Sequence, residues 1–437
     1  MEFRGEEINR VLAGEAGREE IPSVDLTGHG TAVAAIAAGS RIARNNGNQE
    51  GFQGIAPESE LLVVKLGMPR EDGFPRTTEM MRALTYVVNT AIQIQKPVAV
   101  NISFGNTYGD HMGQSLLERF MDNIAGVGKN VVVVGSGNEG ASHGHTSGHF
   151  TNRQTIEFVI GEYERNLSIQ IWKSYVDNFR VTLISPGGDQ VIIESTRASG
   201  GTSGEGRTRR ARMEETEILL YIGEPLPYTT TQEIYIDMIP EQTYVTAGVW
   251  QLVFDPLQVI TGDVSLYMPS DAVRGAETFF FLPTPDMTLT IPSTAEKVIT
   301  VGAYDTQYQS YADFSGRGYV LTPDFSGIQK QMVTEETPFT PFLVKPEIAA
   351  PGVQIETVLP GGGTEYVTGT SFATPVVTGS AALMLEWGVN RGFDPYLYSA
   401  KAKAYLTKGA KKLPGFSIYP DSLIGWGALC LRDSLPL

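Results

Sequence analysis

Residues 1–149 alternate short apolar segments with segments in which apolar side chains recur every three or four positions. Strands buried on both faces are predicted for three segments that are rich in Val and Ile and contain Gly or Asn at their ends: ELLVVKLG (60–67), PVAVNISFG (97–105) and NVVVVGSGNEG (130–140). Residues 77–95 and 113–128 have the pattern of amphipathic helices. This alternation predicts an α/β fold with a parallel sheet and helices on both faces, in which functional groups gather at the carboxyl ends of the strands.

From residue 150 to about residue 287 the period changes to two. Apolar and polar residues alternate in segments bounded by Gly, Pro or Asp: TIEFVIGEY, LSIQIWKSY, FRVTLISPGGDQVIIEST, TEILLYIG, QEIYIDMI, GVWQLVFDP and GDVSLYMPS. This pattern predicts antiparallel strands with one buried face, and so many in succession predict a β-sandwich or jelly roll. The segment RASGGTSGEGRTRRAR (197–212) is predicted to be an exposed, mobile loop.

Residues 288–437 return to the first pattern. EKVITVGAYD (296–305) predicts another buried strand, KPEIAAPG (345–352) a turn-rich segment, and DPYLYSAKAKAYLTKGA a helix. The predicted organisation is therefore an α/β domain in two halves, residues 1–149 and 288–437, interrupted by an inserted all-β domain at residues 150–287.

Charge and composition exclude several classes of protein. The 437 residues carry a formal net charge of −16, which argues against nucleic acid or an anionic membrane surface as the main partner. The single cysteine, Cys430, excludes an intramolecular disulfide and a cysteine-based metal cluster. No apolar run has the length of a membrane span, and residues 1–20 do not have the pattern of a signal peptide.

Candidate chemistry begins with GTSFATPVVTGSAALML (369–385), where a serine precedes a run of small apolar residues with a helical pattern. Ser and Thr are preferred N-cap residues, so Thr370 or Ser371 could cap this helix, with Pro375 in its first turn. Alternatively, Ser371 is a nucleophile placed at the positive end of the helix dipole. This segment by itself is compatible with both interpretations.

Two further segments contain polar groups of the types that such a nucleophile needs. In DLTGHGTAVAAIAAG (25–39), His29 lies between two glycines at the start of a predicted helix, where it either packs or acts as a general base. In GSGNEG (135–140), Asn138 follows a buried strand, where it either forms a turn or directs its amide NH₂ at an oxyanion. NISFG (101–105) leaves another strand end and could pair with an extended peptide.

The order GHGT, NISFG, GSGNEG and GTSFATP resembles the subtilisin-like serine proteases (subtilases, peptidase family S8). The resemblance extends to ITVGAYD (299–305), FSGRG (314–318) and KPEIAAPG. It implies hydrolysis of peptide bonds in a protein or peptide substrate, with His29 as general base, Ser371 as nucleophile, and Asn138 with the Ser371 N–H as oxyanion hole. It also implies a specificity pocket lined by Ser103, Phe104, Gly105, Gly135, Ser136 and Gly137.

The β-rich insertion and the form GHGTAVAAIAAG are similar to the clostridial germination proteases, the Csp group of subtilases. That resemblance implies the processing of a precursor of a spore cortex-degrading enzyme, and an extracellular or spore-associated location. No cofactor is expected. Calcium, which many subtilases bind, stays open because no loop has a clear series of oxygen ligands.

A triad also needs a carboxylate that orients the histidine. Subtilases carry it as an Asp at the end of a buried strand, and no acidic residue before His29 follows a Val/Ile-rich run. Asp25 is expected to form a turn or to complement the helix end. Three explanations remain: a gene start placed too far downstream, a shortened chain, or a pseudoprotease that binds peptide or protein without cutting it. The first two are favoured because His29, Asn138 and Ser371 are all present.

Three histidines, His143, His145 and His149, fall in one predicted loop, SHGHTSGHF (142–150). Imidazoles this close can ligate zinc, but a structural site usually has four ligands, and no cysteine is near. Solvated side chains are therefore the favoured interpretation, and no metal site is predicted. The β-domain as a separate carbohydrate- or protein-binding module is a further alternative, which rests only on its sandwich-like pattern.

Overall fold

The computed structural model describes residues 1–42, 51–66, 75–194, 208–224, 229–321 and 342–436. Its helices are α1 (Gly5–Leu12), α2 (His29–Ala38), α3 (Thr77–Gln93), α4 (Leu116–Ala125), α5 (Thr370–Leu385), α6 (Ser399–Gly409) and α7 (Leu431–Ser434). No helix among these residues is long and apolar enough to cross a membrane.

The strands of the same residues are β1 (Val98–Ile102), β2 (Asn130–Gly135), β3 (His145–His149), β4 (Gln154–Ile160), β5 (Leu167–Ser174), β6 (Asn178–Ile184), β7 (Gln190–Glu194), β8 (Thr208–Met213), β9 (Thr216–Ile222), β10 (Thr231–Pro240), β11 (Gly248–Gln258), β12 (Asp263–Tyr267), β13 (Phe279–Phe280), β14 (Ile299–Asp305), β15 (Ser310–Tyr311), β16 (Gly318–Leu321), β17 (Phe342–Lys345), β18 (Ile348–Pro351), β19 (Ile355–Val358) and β20 (Thr364–Val367).

The α/β part is built on a sheet in which β1, β2, β14 and β18 are parallel neighbours in that order, and β15 pairs antiparallel with the end of β14. The successive valines of β2 are buried on both faces of this sheet. Val131 and Val133 pack in the cluster that contains α5 and α6, whereas Val132 and Val134 pack with α3 and α4. The predicted α/β fold, with helices on both faces of a parallel sheet, is confirmed.

Two segments of the α/β part differ from the sequence prediction. KPEIAAPG is not only a turn, because its second half is β18, which pairs with β14 from Val301 to Tyr304. The predicted strand at residues 60–67 is wrong for residues 60–66, and Gly67 lies outside the described residues. No strand of the described residues pairs with this segment, and two of its apolar side chains, Leu61 (60% exposed) and Val63 (74% exposed), face solvent.

Most of the remaining strands form two antiparallel sheets. One has the order β3-β12-β5-β10-β9-β8 and the other the order β13-β4-β11-β6-β7. Buried side chains from both sheets, including Ile169, Ile236, Trp250 and Phe254, belong to one hydrophobic cluster. The two sheets therefore share a core, as the period-two pattern predicts. The domain limits at residues 150 and 287 stay a prediction.

Sequence reasoning misses two strands of these sheets. The predicted loop SHGHTSGHF (142–150) is wrong for His145–His149, which form β3 and pair with β12. Residues 208–212 belong to β8, which pairs with β9, so this part of the predicted loop 197–212 is also wrong. Residues 197–207 lie outside the described residues. The composition of the two segments does not predict strands, because glycine is depleted in strands and serine and arginine do not favour them.

The burial of His145 predicts a dependence of stability on pH. Its ring Nδ1 donates to the Thr284 carbonyl oxygen at 2.8 Å, and the ring stacks on Tyr267 at 4.4 Å between centroids. Burial lowers its pKa to about 4. The unfolded chain, with an ordinary His pKa near 6.5, then binds more protons, so stability falls as the pH decreases from about 6.5 towards 4, by up to about 3 kcal/mol.

The measurement is the free energy of unfolding from denaturant titration at pH 7 and at pH 4.5. We expect His145→Gln to reduce the difference between the two values. His149→Gln is the matched control, because His149 lies at the other end of the same strand, exposed and paired with Asp263. An equal pH dependence in wild type and in His145→Gln would contradict the assignment.

Candidate active site

Helix α5 begins at Thr370, and its N-cap is Gly369. The expectation that Thr370 or Ser371 caps the helix is therefore wrong, because they are its first two residues. Pro375 is the sixth residue and lies in the second turn rather than the first. Gly369 has φ +150°, a conformation that L side chains rarely adopt, so the backbone favours glycine at the cap. A Cβ there would lie 3.4 Å from Asn138 Nδ2, an ordinary van der Waals contact.

Pro375 affects the main chain of Ser371 directly. Proline has no N–H, so the Ser371 carbonyl oxygen lacks the donor that it would have four residues further along an ordinary helix. The Ser103 hydroxyl supplies the missing hydrogen bond at 2.7 Å. In return, the Ser371 hydroxyl donates to the Ser103 carbonyl oxygen at 3.4 Å. Ser371 is thus joined to the segment that follows β1 through both its carbonyl and its side chain.

Two further hydrogen bonds extend this contact to the middle of α5. The Asn101 amide Nδ2 donates to the Ser103 hydroxyl at 2.9 Å, and the Thr378 hydroxyl donates to Asn101 Oδ1 at 2.9 Å. The side chain of Ser103 therefore contacts the helix that carries Ser371. The place of Ser103 in the specificity pocket, where its main chain would pair with the substrate backbone, stays a prediction.

This arrangement predicts the effect of Ser103→Ala. The substitution leaves the part-buried Ser371 carbonyl without its donor and so loosens the position of the nucleophile. A loss of about 1 kcal/mol of positioning in the transition state corresponds to a decrease in kcat of about fivefold. We expect KM to change by less than about twofold, since the hydroxyl is directed at α5.

Steady-state kinetics on one peptide substrate measure both constants. Ser380→Ala is the matched control, because its hydroxyl donates to the Val376 carbonyl oxygen at 2.8 Å, further along α5 than the turn that carries Ser371. A raised KM with unchanged kcat in Ser103→Ala would show that Ser103 contacts substrate instead of positioning Ser371.

His29 is the first residue of α2, after an N-cap glycine, Gly28, with φ +79°. Its ring lies 5.6 Å from the ring of Phe372, between centroids, which brings the N-termini of α2 and α5 together. Partial loss of solvent around the ring lowers the pKa of His29, and the charge of Asp25 opposes this effect. A neutral imidazole, the form that accepts a proton, is therefore favoured near neutral pH.

Asp25 caps α2, as expected for a residue at this helix end. Its carboxylate accepts hydrogen bonds from Gly28 N (3.0 Å), Thr31 N (2.7 Å) and the Thr31 hydroxyl (2.7 Å). Burial raises the pKa of Asp25, but the hydrogen bonds from Thr31, Gly28 and Thr27 outweigh it and lower the pKa overall. In the described part of the chain, no carboxylate is hydrogen-bonded to the His29 ring.

Asn138 is held by the residue before the serine. Its Oδ1 accepts from Thr370 N and from the Thr370 hydroxyl, both at 3.0 Å. These two bonds direct the NH₂ group towards the cap of α5, where it lies beside Gly369. The Ser371 N–H, second in the helix, has no acceptor within the helix. Two donors thus lie at the start of α5, as an oxyanion hole requires.

The predicted pocket residues lie at the carboxyl ends of the neighbouring parallel strands β1 and β2, with Gly135 as the last residue of β2 and the others directly after a strand. The structure brings these strand ends together next to α5: a Cβ on Gly135 would lie 2.8 Å from the Thr374 hydroxyl. The six predicted residues are Ser103, Phe104, Gly105, Gly135, Ser136 and Gly137.

A family model described as the subtilase family, Peptidase S8, matches residues 9–216 and 283–427. The chain belongs to the subtilase family. The solved structure of the Clostridium perfringens CspB protease is 31% identical to it, with a TM-score of 0.84, over 99% of this chain and 84% of that one. The fold is thus that of the subtilisin-like serine endopeptidases, as the sequence motifs predict.

Curated relatives of this subtilase match over shorter stretches. Pyrolysin of Pyrococcus furiosus is 33% identical over 135 residues, which are 28% of this chain and 9% of pyrolysin. The serine protease AprX of Bacillus subtilis is 31% identical over 173 residues, 35% of this chain and 33% of AprX. This subtilase matches less than half the length of either relative.

The other histidines of this subtilase lie away from α2 and α5. Tyr267 stacks between His111, at 3.9 Å, and His145. Both ring nitrogens of His111 contact carbonyl oxygens, those of Leu289 (2.7 Å) and Thr107 (3.1 Å). Among the described residues, no three His, Cys, Asp or Glu side chains are grouped as metal ligands.

Sequence reasoning misses three residues of the site: Thr370, which orients Asn138; Asn101, which contacts Ser103; and Thr290, which lies between Gly105 and Gly137. Asn101 and Thr370 stand inside the motifs NISFG and GTSFATP, so the signal is present in the sequence. Thr290 lies in none of these motifs, because only contacts with residues distant in sequence bring it to the site.

Proposed function

We propose that this subtilase is a serine endopeptidase in which Ser371 is the nucleophile, His29 the general base, and Asn138 Nδ2 with the Ser371 N–H the oxyanion hole. The observation that carries the proposal is the meeting of two helix N-termini, where the ring of His29 packs on Phe372 and Asn138 is fixed by Thr370. Both helix dipoles are positive at this point, which favours negative charge developing on the substrate oxygen.

In the proposed reaction, His29 takes the proton of Ser371 Oγ as this oxygen attacks the carbonyl carbon of the scissile bond. The resulting oxyanion accepts hydrogen bonds from Asn138 and the Ser371 N–H. His29 then donates the proton to the leaving amine, and water hydrolyses the acyl-enzyme by the same route. The Ser371 hydroxyl donates to the Ser103 carbonyl oxygen at 3.4 Å, so the reaction requires it to turn towards His29.

We propose further that the carboxylate that orients His29 comes from a strand that is not among residues 1–437. Asp25 is committed to capping α2. On the side away from β2, no described strand pairs with β1, and the extended residues 60–66 expose Leu61 and Val63. An open edge of a parallel sheet is normally covered, and a strand placed there would pair with β1. Without its carboxylate, turnover would fall by about 10⁴-fold, the size of the loss known for subtilisin.

The test of both proposals is an endopeptidase assay on the protein isolated from its natural source, with its intact mass and N-terminal sequence. We expect the native protein to contain further residues that include a strand ending in Asp. We also expect it to cleave a peptide library at internal peptide bonds. Binding of peptides without cleavage would favour the pseudoprotease alternative. A native protein that begins at Met1 and cleaves at full rate would overturn the proposal of an added strand.

For the physiological substrate, we propose the precursor of a spore cortex-degrading enzyme. The support is the similarity to the CspB protease of Clostridium perfringens together with the resemblance to the germination proteases. Immunoblots of germinating spores test this proposal. In spores that carry Ser371→Ala at the chromosomal gene, we expect the precursor to persist, and normal maturation of the precursor would contradict the assignment.

A further inference from the structure

Thr290 and Ile291 close the space between the two segments that follow β1 and β2. Thr290 N donates to the Ser136 carbonyl oxygen at 3.0 Å, which ties the pair to the segment after β2. Ile291 exchanges two hydrogen bonds with Asn106, at 2.8 Å and 3.0 Å, which ties it to the segment after β1. The main chain of residues 290–291 thus forms a fixed floor between the two walls of the predicted pocket.

The Thr290 side chain lies against the main chain of both walls. A Cβ built on Gly105 would lie 2.3 Å from Thr290 Oγ1, and one on Gly137 would lie 2.4 Å from Thr290 Cγ2. Glycine at these two positions is therefore required by Thr290 itself. The side chain is only 3% exposed, so the space between the walls is already filled at this depth.

We propose that Thr290 limits the depth of the specificity pocket and restricts this subtilase to small side chains, those of Gly, Ala and Ser, at the residue whose carbonyl is attacked. The inference rests on the proposed function and names its substrate class. An aromatic side chain buries 150–250 Å² or more in a pocket that accepts it. Thr290 is held by hydrogen bonds to one wall and packs on the other. The space that an aromatic side chain needs is therefore absent between Gly105 and Gly137.

The experiment uses the protein from its natural source and internally quenched peptides that differ only at this residue: Ala, Ser, Leu or Phe. We expect kcat/KM for Ala to exceed that for Phe by at least about tenfold, the range that a difference in pocket size produces. Thr290→Gly should raise kcat/KM for Phe by about tenfold or more relative to Ala. Thr288→Gly is the matched control, because Thr288 is also buried but its hydroxyl donates to the Pro285 carbonyl oxygen, outside the pocket.

A wild-type preference for Phe or Leu, or an unchanged Ala/Phe ratio in Thr290→Gly, would overturn the inference. If Thr290→Gly does not fold, Thr290→Ser removes only the methyl group against Gly137 and should give a smaller shift in the same direction. Competition binding with product peptides ending in Ala or Phe measures the relative affinity of the pocket for the two side chains independently of cleavage. Absence of cleavage with tighter binding of the Ala product would therefore refute the proposed function while supporting the shallow pocket, and equal binding would refute the shallow pocket.

Discussion

Replacing Ser371 by alanine is expected to reduce kcat for peptide hydrolysis by about 10⁶-fold in the native protein, the size of loss known for the serine of subtilisin. The reason is chemical: alanine has no oxygen that can form the acyl-enzyme, and the two oxyanion donors alone cannot replace it. KM should change little, because alanine keeps the shorter hydrogen bond to the segment after β1, from the Ser103 hydroxyl to the carbonyl oxygen of residue 371. Progress curves on a quenched peptide measure both constants.

Ser380→Ala is the matched control for this prediction. Ser380 is buried later in the same helix, and its hydroxyl donates to the Val376 carbonyl oxygen at 2.8 Å, so the substitution tests the helix without touching the site. We expect Ser380→Ala to keep kcat within about twofold. A kcat for Ser371→Ala within tenfold of the wild-type value would contradict the assignment of Ser371 as nucleophile.

The largest expected effect on stability is at Glu347, in the motif KPEIAAPG. Its carboxylate lies 3.0 Å from Lys345 Nζ and 2.6 Å from Lys403 Nζ, and it accepts a hydrogen bond from Thr300 N at 2.7 Å. The side chain of Lys345 is 0% exposed. Burial raises the pKa of Glu347, but the two lysines outweigh it and lower the pKa overall, so the group is ionised. Burial lowers the pKa of Lys345 to about 8.

Glu347→Ala is expected to lower the free energy of unfolding by about 3–5 kcal/mol, since it leaves the Lys345 ammonium buried without its partner. Glu347→Gln should be destabilising as well, because it keeps one hydrogen bond to Thr300 but removes the charge. Denaturant unfolding at pH 7 measures both values. The loss also bears on function: β18 leads into Gly352, whose carbonyl accepts from the N–H of Gly369 at 2.8 Å and so holds the start of α5.

Glu386→Ala is the control for the removal of a carboxylate. Glu386 forms an ion pair with Arg391 on the surface, and such pairs contribute little. We expect the unfolding midpoint of Glu386→Ala to be unchanged within error. An equally small change in the unfolding free energy of Glu347→Ala would contradict the prediction, since it would mean that Lys345 is neutral or solvated in the variant.

The sequence correctly predicts those strands in which the pattern of apolar residues follows the pattern of burial. The valines of β2 are buried on both faces, so a continuous apolar run predicts a parallel strand, and β5 and β10 alternate because one face is in the shared core. The motifs around His29, Asn138 and Ser371 are local, and the residues on either side of Ser371 contact the other two: Phe372 contacts His29, and Thr370 contacts Asn138. Their chemical roles stay predictions until the experiments above are done.

Long-range contacts decide the features that sequence reasoning does not predict correctly. Residues 60–66 have the composition of a strand but no described neighbour to pair with, whereas Ile348–Pro351 form one because β14 lies beside them. The hydroxyl of Ser103 faces α5 because Pro375, far away in sequence, leaves a carbonyl without a donor. Thr290 reaches Gly105 and Gly137 only through the folded chain.

The central claim, that Ser371 is a nucleophile served by His29 and Asn138, is tested most directly by covalent labelling. The native protein is treated with a peptidyl phosphonate that carries alanine at the residue next to phosphorus, and the adduct is located by peptide mass mapping. We expect a single adduct on Ser371, which is absent in Ser371→Ala and forms much more slowly in His29→Ala. An adduct on another residue, or labelling that survives Ser371→Ala, would contradict the claim.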